Sequence, residues 1–593
     1  MDRQAWIAVT LCVIGFVALQ VYNAKHAPPP PVRAAVSPTP VATPGDQPAA
    51  TPSQAPSVSP SPGAIPTPSP VASIPPFTEK SEALRNEDVE LRLTNRGAGI
   101  SEAVMLKHSA DNGQRVILNS AEHTPIGAII EQPAAPVLPE FAIVRGDDGS
   151  VQFDRKTPEG VNVHKKFFFP PASEKKDNFV AEMEVDFRND GAQPYSNAGY
   201  FVSLGSTRPL HPRDMPAYTR LVWSIDGKVK ATDVSWFAAQ NYPLVGVEKR
   251  AAQPTFQEKV NGAEWAAMTN QFFTTIVTAL NGKASEVWTQ PFEIKRADGP
   301  SLRGMDGAMG MPGFQLQPGQ TATSRFQIYV GPKLYGRLAK LEHDEAEIMN
   351  FGMWKLVSQA LLNFMNFLYG IFGNYAVAIV VLTACVKGVL WPLQNKANKS
   401  MRKMSSLAPK MQELKEKYKD DPTRMNQEVM KLYKEHGVNP VGGCLPMMIQ
   451  IPIFFGLFSM LGQAAELRNA SFLWVRDLSQ PDTVFTLPLP PVNLGLLTLG
   501  PIPINILPLL MGATNIWLMR MTPKTGDSTQ QRVMMFMPLI FLFFCYNFAA
   551  ALALYYTTQN LFTILQLYQN QKQPLPVLEK VAPAGKKSRK GRP

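Results

Sequence analysis

Five apolar segments, at about 371–392, 442–463, 501–520, 533–548 and 550–568, dominate the C-terminal part of the chain. Each is close to the roughly 20 residues that cross a bilayer as a helix. In lipid the backbone can satisfy its hydrogen bonds only within helices or closed barrels, so these segments predict a helical bundle in a membrane. The last two are joined by almost nothing and predict a tight helical hairpin. An earlier apolar run follows Arg3 and ends at Val21, in "MDRQAWIAVTLCVIGFVALQVYNAK". With no A-x-A cleavage site behind it, this stretch reads as an uncleaved anchor over 1–25 rather than a signal peptide.

Charge placement gives the orientation. The 593-residue chain carries a formal charge of +11, a balance that could suggest nucleic acid. The Lys and Arg residues, however, crowd the 394–441 loop and the tail "GKKSRKGRP" within 569–593, whereas the 464–500 loop has Arg468 and Arg476 alone. This is the positive-inside pattern: six spans, with both termini in the cytoplasm of a bacterial inner membrane protein. Cys12, Cys385, Cys444 and Cys545 all fall in apolar segments, so no disulfide framework is expected.

Residues 26–76 are rich in Pro, Ala, Ser and Thr and predict a disordered linker. Over 77–335 the texture becomes period-two. In "FVAEMEVDF", Phe179, Ala181, Met183, Val185 and Phe187 share one face. The expectation is an all-β antiparallel sandwich outside the cytoplasm. Over 336–370 a short helix and then an amphipathic one are predicted. The second places Leu356, Val357, Ala360, Leu361, Phe364, Phe367 and Leu368 on one stripe and Ser358, Gln359, Asn363 and Asn366 opposite. It reads either as a helix lying in the membrane interface or as an ordinary domain helix.

Polar residues inside the 371–568 core are the functional signal. In "AIVVLTACVKGVLWPL", Lys387 has no acidic residue within a helical turn or two. A cation there costs roughly 2.5–3.5 kcal/mol on insertion scales. It could snorkel to the interface, or it could line a water-filled cavity between spans. Thr383, Gln450, Asn515 and the run Thr557, Thr558, Gln559, Asn560 are the other polar groups at that depth. An acidic group about 5 Å from Lys387 would gain about 3 kcal/mol at an effective dielectric near 20. Such a cavity could hold the polar tail of another membrane protein while its apolar segment enters lipid. No Walker motif is present and no cofactor or metal is expected.

The 394–437 segment predicts a basic helical hairpin. Met401, Met404, Leu407, Met411 and Leu414 form an apolar stripe beside Lys403 and Lys415. Asp421 reads as the N-cap of the second helix, with Pro422 in its first turn and Gly437 at its end. The hairpin is either a contact surface for nascent chains or ribosomal RNA, or a solvated positive-inside loop.

Several stretches resemble the YidC-type membrane protein insertases, in the Gram-negative form with a large periplasmic domain. They are "VNPVGGCLPMMIQIPIFFGLF", "TACVKGVLWPL", "QQRVMMFMPLIF" and "LYYTTQNLFTILQ" in the core, with "FQIYVGPKLYGRL" and "NRGAGI" before it. The resemblance implies a core of five spans with a hydrophilic groove, an N-terminal anchor and a periplasmic β-supersandwich. It implies nascent inner-membrane proteins as clients, action alone or with the Sec translocon, and contact with the ribosome through the basic loop and tail. Lys387 matches a groove position that is usually arginine; Thr383, Tyr555 and Tyr556 match groove and client-contacting positions. Many relatives carry Pro-Ser-Gly near Asn547–Ala550, where this chain has "NFAA". Two other classes are weighed against the insertase: a small-solute transporter or channel, disfavoured because no internal repeat is visible, and a membrane-anchored periplasmic enzyme or sugar-binding module, which leaves the additional spans unexplained.

Overall fold

The computed structural model describes residues 78–573, apart from 111–112, 136, 172–176, 242–247, 297–300, 439–444, 489–491, 494–497, 500 and 523–527. The expected N-terminal anchor, the whole of the proline-rich linker and most of the basic tail lie outside the described residues.

Alternating sequences build two large antiparallel sheets. The nine-stranded one runs from Lys228–Asp233 at one edge, through Thr321–Pro332 and Val180–Asn189, to Ala142–Arg145 at the other. A five-stranded sheet centred on Leu302–Leu316 and Tyr195–Thr207 packs on it. The expected inward face is buried: Phe179, Ala181, Met183, Val185 and Phe187 all belong to the core. A four-stranded sheet, Ser81–Arg85 to Arg115–Leu118, joins the same core.

Helices follow. They are α1 (Lys355–Phe372), α2 (Tyr375–Ser406), α3 (Ala408–Lys417), α4 (Pro422–Glu435), α5 (Leu445–Leu461), α6 (Ile506–Met521), α7 (Ser528–Cys545) and α8 (Ala550–Gln571). Gly373, at φ 65°, ends α1, and the Asn374 side chain caps α2 by accepting from the N–H groups of Ala376 and Val377. Five of these helices occupy the predicted apolar segments, with shifted ends. α2 does not stop near residue 392: it continues through Pro392 for 32 residues in all, so its end does not mark a membrane boundary. α6 starts at Ile506 because Ile502–Asn505 is drawn into a strand against Thr483–Leu487. Among the described residues, α2 alone is long and apolar enough to qualify as a span by length and composition; Met448–Leu461 and α6 are apolar but shorter.

The hairpin of α7 and α8 turns as tightly as expected, within Tyr546–Ala549. Ala549 has no side chain to cap α8. Two carbonyls from the preceding loop replace it, Gln480 accepting from Ala550 N–H and Leu478 from Ala551 N–H. Asn505 Nδ2 donates to the Tyr546 carbonyl at 2.8 Å, and Tyr546 donates to the Pro503 carbonyl at 2.7 Å. The turn is therefore held by its surroundings.

Two expectations are corrected. The buried face of α1 is Ser358, Leu361, Leu362, Met365 and Leu368, whereas Leu356 and Phe367 are exposed. Ser358, expected on the polar side, donates to the Gly456 carbonyl at 2.9 Å. Gly456 lets α1 and α5 approach: a Cβ there would lie 3.0 Å from Val357 Cγ1. The buried hydroxyl is tolerated because it has this acceptor. The stripe 401–414, in turn, packs within the hairpin. Met411 lies with Leu407, Tyr433 and Val438, with Met404 against them, and Tyr433 donates to Met411 Sδ at 3.0 Å. Asp421 does cap α4, accepting from Arg424 N–H at 2.9 Å.

The sandwich docks on the helical part through the segment after α5. Gln271 Nε2 donates to the Gly462 carbonyl at 2.8 Å, and Arg220 donates to the Ile348 carbonyl at 2.9 Å and to Gln463 Oε1 at 3.5 Å. Buried Arg468 donates to the Ser109 carbonyl at 3.0 Å, its guanidinium 5.7 and 5.3 Å from the ring centres of Phe272 and Phe273. Arg468→Ala removes the shorter of the two hydrogen bonds to the Ser109 carbonyl, leaving Asn469 Nδ2 at 3.4 Å, and removes both ring contacts. The expected weakening of docking is about 2–4 kcal/mol, measured as faster protease cleavage of the 464–500 loop in the full-length protein.

Next to it, Glu466 lies in the same segment, hydrogen-bonded to Asn366 of α1, with its Oε2 enclosed and lacking a donor. Burial pushes its carboxyl up to about 7. The carboxyl is protonated in both folded and unfolded chains below pH 4. Its contribution is present there and falls as pH rises through about 7, because a charge must then be buried. Protease resistance of this segment should decline as pH rises from about 4.5 to about 7 and level off above that, and Glu466→Gln should flatten the decline.

Candidate functional site: a polar seam centred on the last helix

α8 packs against α2 and against α6, with a smaller contact to α5. Its polar side chains point into these contacts. The exterior of the helical part is the reverse of a water-soluble surface: Val389, Trp517, Phe543 and Phe544 are each more than half exposed, while Thr383, Lys387, Gln559, Asn560 and Gln566 are buried. Polar groups inside and large apolar side chains outside are what a helical bundle in lipid requires.

Lys387 is 4% exposed. Its ammonium donates to Thr563 Oγ1 on α8 at 2.8 Å and reaches Gln394 Oε1, further along α2, at 3.5 Å. Both partners are neutral, so among the described residues the cation has no counter-charge. Thr383, one turn earlier on α2, is also buried, but its hydroxyl donates to the Ile379 carbonyl at 2.7 Å. It contributes a satisfied polar surface rather than a free donor.

The other predicted residues gather in two more places along α8. Gln450 of α5 donates to Tyr555 Oη at 3.2 Å and to Gln559 Oε1 at 3.0 Å. Asn560 donates to Thr514 Oγ1 of α6 at 3.1 Å and approaches the Met511 carbonyl at 3.5 Å. Asn515 is half-buried beside Thr514; Thr514, not Asn515, takes the Asn560 contact. Thr557 is half-buried and donates to its own helix at Ala553. Tyr556 joins an aromatic cluster, its ring centre 5.4 Å from Phe454 and 5.0 Å from Phe541.

Sequence reasoning missed the C-terminal half of this seam. Gln566 Nε2 donates to Asn395 Oδ1 at 2.8 Å and to the Trp391 carbonyl at 3.2 Å, and Asn570 Nδ2 donates to Asn395 Oδ1 at 3.2 Å. Arg402 then donates to the Asn570 carbonyl at 2.6 Å, closing an otherwise open helix C-terminus. The signal was present: Gln559, Thr563, Gln566 and Asn570 recur at spacings of four, three and four in an otherwise apolar helix. On the basic hairpin, Met401, Lys403 and Lys415 are half-buried, Met411 is enclosed, and Met430 of α4 is the exposed methionine, flanked by Lys431 and Lys434.

An apolar-surfaced helical bundle with a polar seam, carrying a β-sandwich, defines a helical membrane protein with a large β domain. Residues 367–575 match the family model for the 60Kd inner membrane protein, and residues 83–364 match that for the YidC periplasmic domain. The membrane protein insertase YidC of Geobacter sulfurreducens is 31% identical over 590 residues, covering 96% of this chain and 98% of that one. That of Syntrophus aciditrophicus is 42% identical over 260 residues, 44% of each chain. The chain belongs to the YidC family of membrane protein insertases. A solved structure of an active YidC insertase, with its first transmembrane domain resolved, aligns over 84% of this chain and 94% of that one at 17% identity and a TM-score of 0.33, too low a score to argue from.

The Gln450–Gln559 contact joins α5 to α8 and can be weighed alone. A double-mutant cycle of Gln450→Leu and Gln559→Leu should give a coupling of about 0.6 kcal/mol, and at most about 1.7, as for other interhelical hydrogen bonds in membranes. Reversible unfolding in mixed micelles measures it.

Proposed function

We propose that this chain inserts nascent inner-membrane proteins into the bilayer, with the Lys387 region as the surface that receives their polar, acidic segments. The observation that carries this reading is a buried cation whose partners among the described residues are all neutral, in a bundle whose outside is apolar. The family membership agrees with it. An acidic group on a client is drawn to the unpaired charge, and burial of the client's apolar segment in lipid then drives transfer. No nucleotide-driven step is required by this scheme.

The arrangement that suits this function has five spans formed by α2, α5, α6, α7 and α8 after an N-terminal anchor, with both termini cytoplasmic. Three features support it: basic residues concentrated at 394–441 and in the tail, the apolar exteriors of these helices, and the sandwich docked at the opposite end of α5. Exposed Leu356 and Phe367 on α1 suit a helix lying along the membrane surface. The basic face around Met430, Lys431 and Lys434 suits contact with a ribosome or an emerging chain, and cooperation with the Sec translocon belongs to the same proposal.

Lys387→Ala should lower insertion of clients with acidic translocated tails by about tenfold, a part of the roughly 3 kcal/mol Coulomb attraction. Lys387→Arg should retain it. The assay is protease protection of the tail in proteoliposomes. Undiminished insertion by the alanine variant would remove the charge from the mechanism. Saturable flux of a small anion through the same vesicles would instead favour a channel.

A further inference from the structure

The contact between Lys387 and Thr563 does more than satisfy a buried amine. Thr563 donates its own proton to the Gln559 carbonyl at 2.8 Å. Its oxygen is therefore left as an acceptor, and the Lys387 ammonium takes that position at 2.8 Å. The ammonium has three N–H groups, and its other neutral acceptor, Gln394, lies at the limit of hydrogen-bonding distance. One good neutral hydrogen bond thus holds a full charge in place.

Flanking contacts keep that bond in register. Lys387 meets Thr563, Trp391 meets Gln566, and Asn395 meets Asn570, a nearly constant offset along two parallel helices. The seam is a row of exchangeable contacts between neutral groups, with one cation in it.

We propose that Thr563 positions Lys387 and sets its selectivity: the enclosed ammonium is held toward α8, and an incoming group engages it by drawing it off the Thr563 hydroxyl. This rests on the reading of Lys387 as the client-attracting charge. A client serine or asparagine would replace one neutral acceptor by another and gain nothing. A carboxylate exchanges a neutral acceptor for an anion and adds the attraction between two opposite charges, about 3 kcal/mol at about 5 Å and an effective dielectric near 20. The hydroxyl therefore acts as a threshold that anionic groups pass and neutral polar groups do not. A lysine suits this exchange, because its compact ammonium swings on a flexible stem, whereas a guanidinium would be forked to several acceptors at once.

The test uses the full-length protein in proteoliposomes and two readouts. The first is the rate at which a water-soluble amine reagent labels Lys387, read by mass spectrometry. Thr563→Val should raise it about tenfold, the scale of one lost hydrogen bond to a charged group, and Thr563→Ser should leave it unchanged. The second is insertion of a single-span client whose translocated tail carries either aspartates or asparagines. The Asp-to-Asn preference should fall toward unity in Thr563→Val and persist in Thr563→Ser. Thr563→Ala serves if the valine variant does not accumulate. Equal labelling in all variants overturns the positioning role. Faster labelling with an unchanged Asp-to-Asn preference overturns the selectivity role. If Lys387→Ala inserts both clients normally while the labelling result holds, the client-charge reading fails and the Lys387–Thr563 contact stands as a structural one.

Discussion

A charged side chain on an apolar helix must find its partner on another element, and here α8 provides it. Thr563 accepts from Lys387 of α2, Gln559 accepts from Gln450 of α5, and Asn560 donates to Thr514 of α6. Three neighbouring helices are thus tied to one, each through a polar contact that lipid could not replace. Apolar packing against lipid tails has little direction, so these bonds specify which faces meet. The arrangement leaves Val389, Trp517, Phe543 and Phe544 outside, where an apolar solvent suits them.

The same requirement operates at the sandwich. Arg468, Arg220 and Gln271 reach backbone carbonyls across the junction rather than carboxylates. Backbone acceptors carry no charge of their own and keep their geometry, so the junction depends little on ionic strength. The sandwich is thereby fixed to the far end of α5, whose other end leads to the basic hairpin. One helix thus connects the basic hairpin to the docked sandwich.

Much of this was legible in the chain. Period-two alternation over Phe179–Phe187 reported a buried face because side chains on a strand point alternately to opposite sides. Asp421 and Pro422 reported a helix start because their chemistry acts locally. Misreadings arose where partners decide. Ser358 looked like a polar-face residue until the Gly456 carbonyl met it. Met411 looked available to a client until Tyr433 covered it. Thr563 was overlooked because a lone threonine in an apolar helix can satisfy itself by bonding four residues back, as Thr383 does.

By itself the sequence determined where apolar segments lie, which loops are basic, and that a cation and several amides sit at membrane depth. Those properties depend on residues near one another in the chain. Tertiary structure alone decided that Lys387 meets Thr563 rather than water, that α8 is the common partner, and that Arg468 docks on the sandwich. The Lys387 and Arg468 contacts join residues more than a hundred positions apart, and a side chain's periodicity shows which way it points but not what awaits it there.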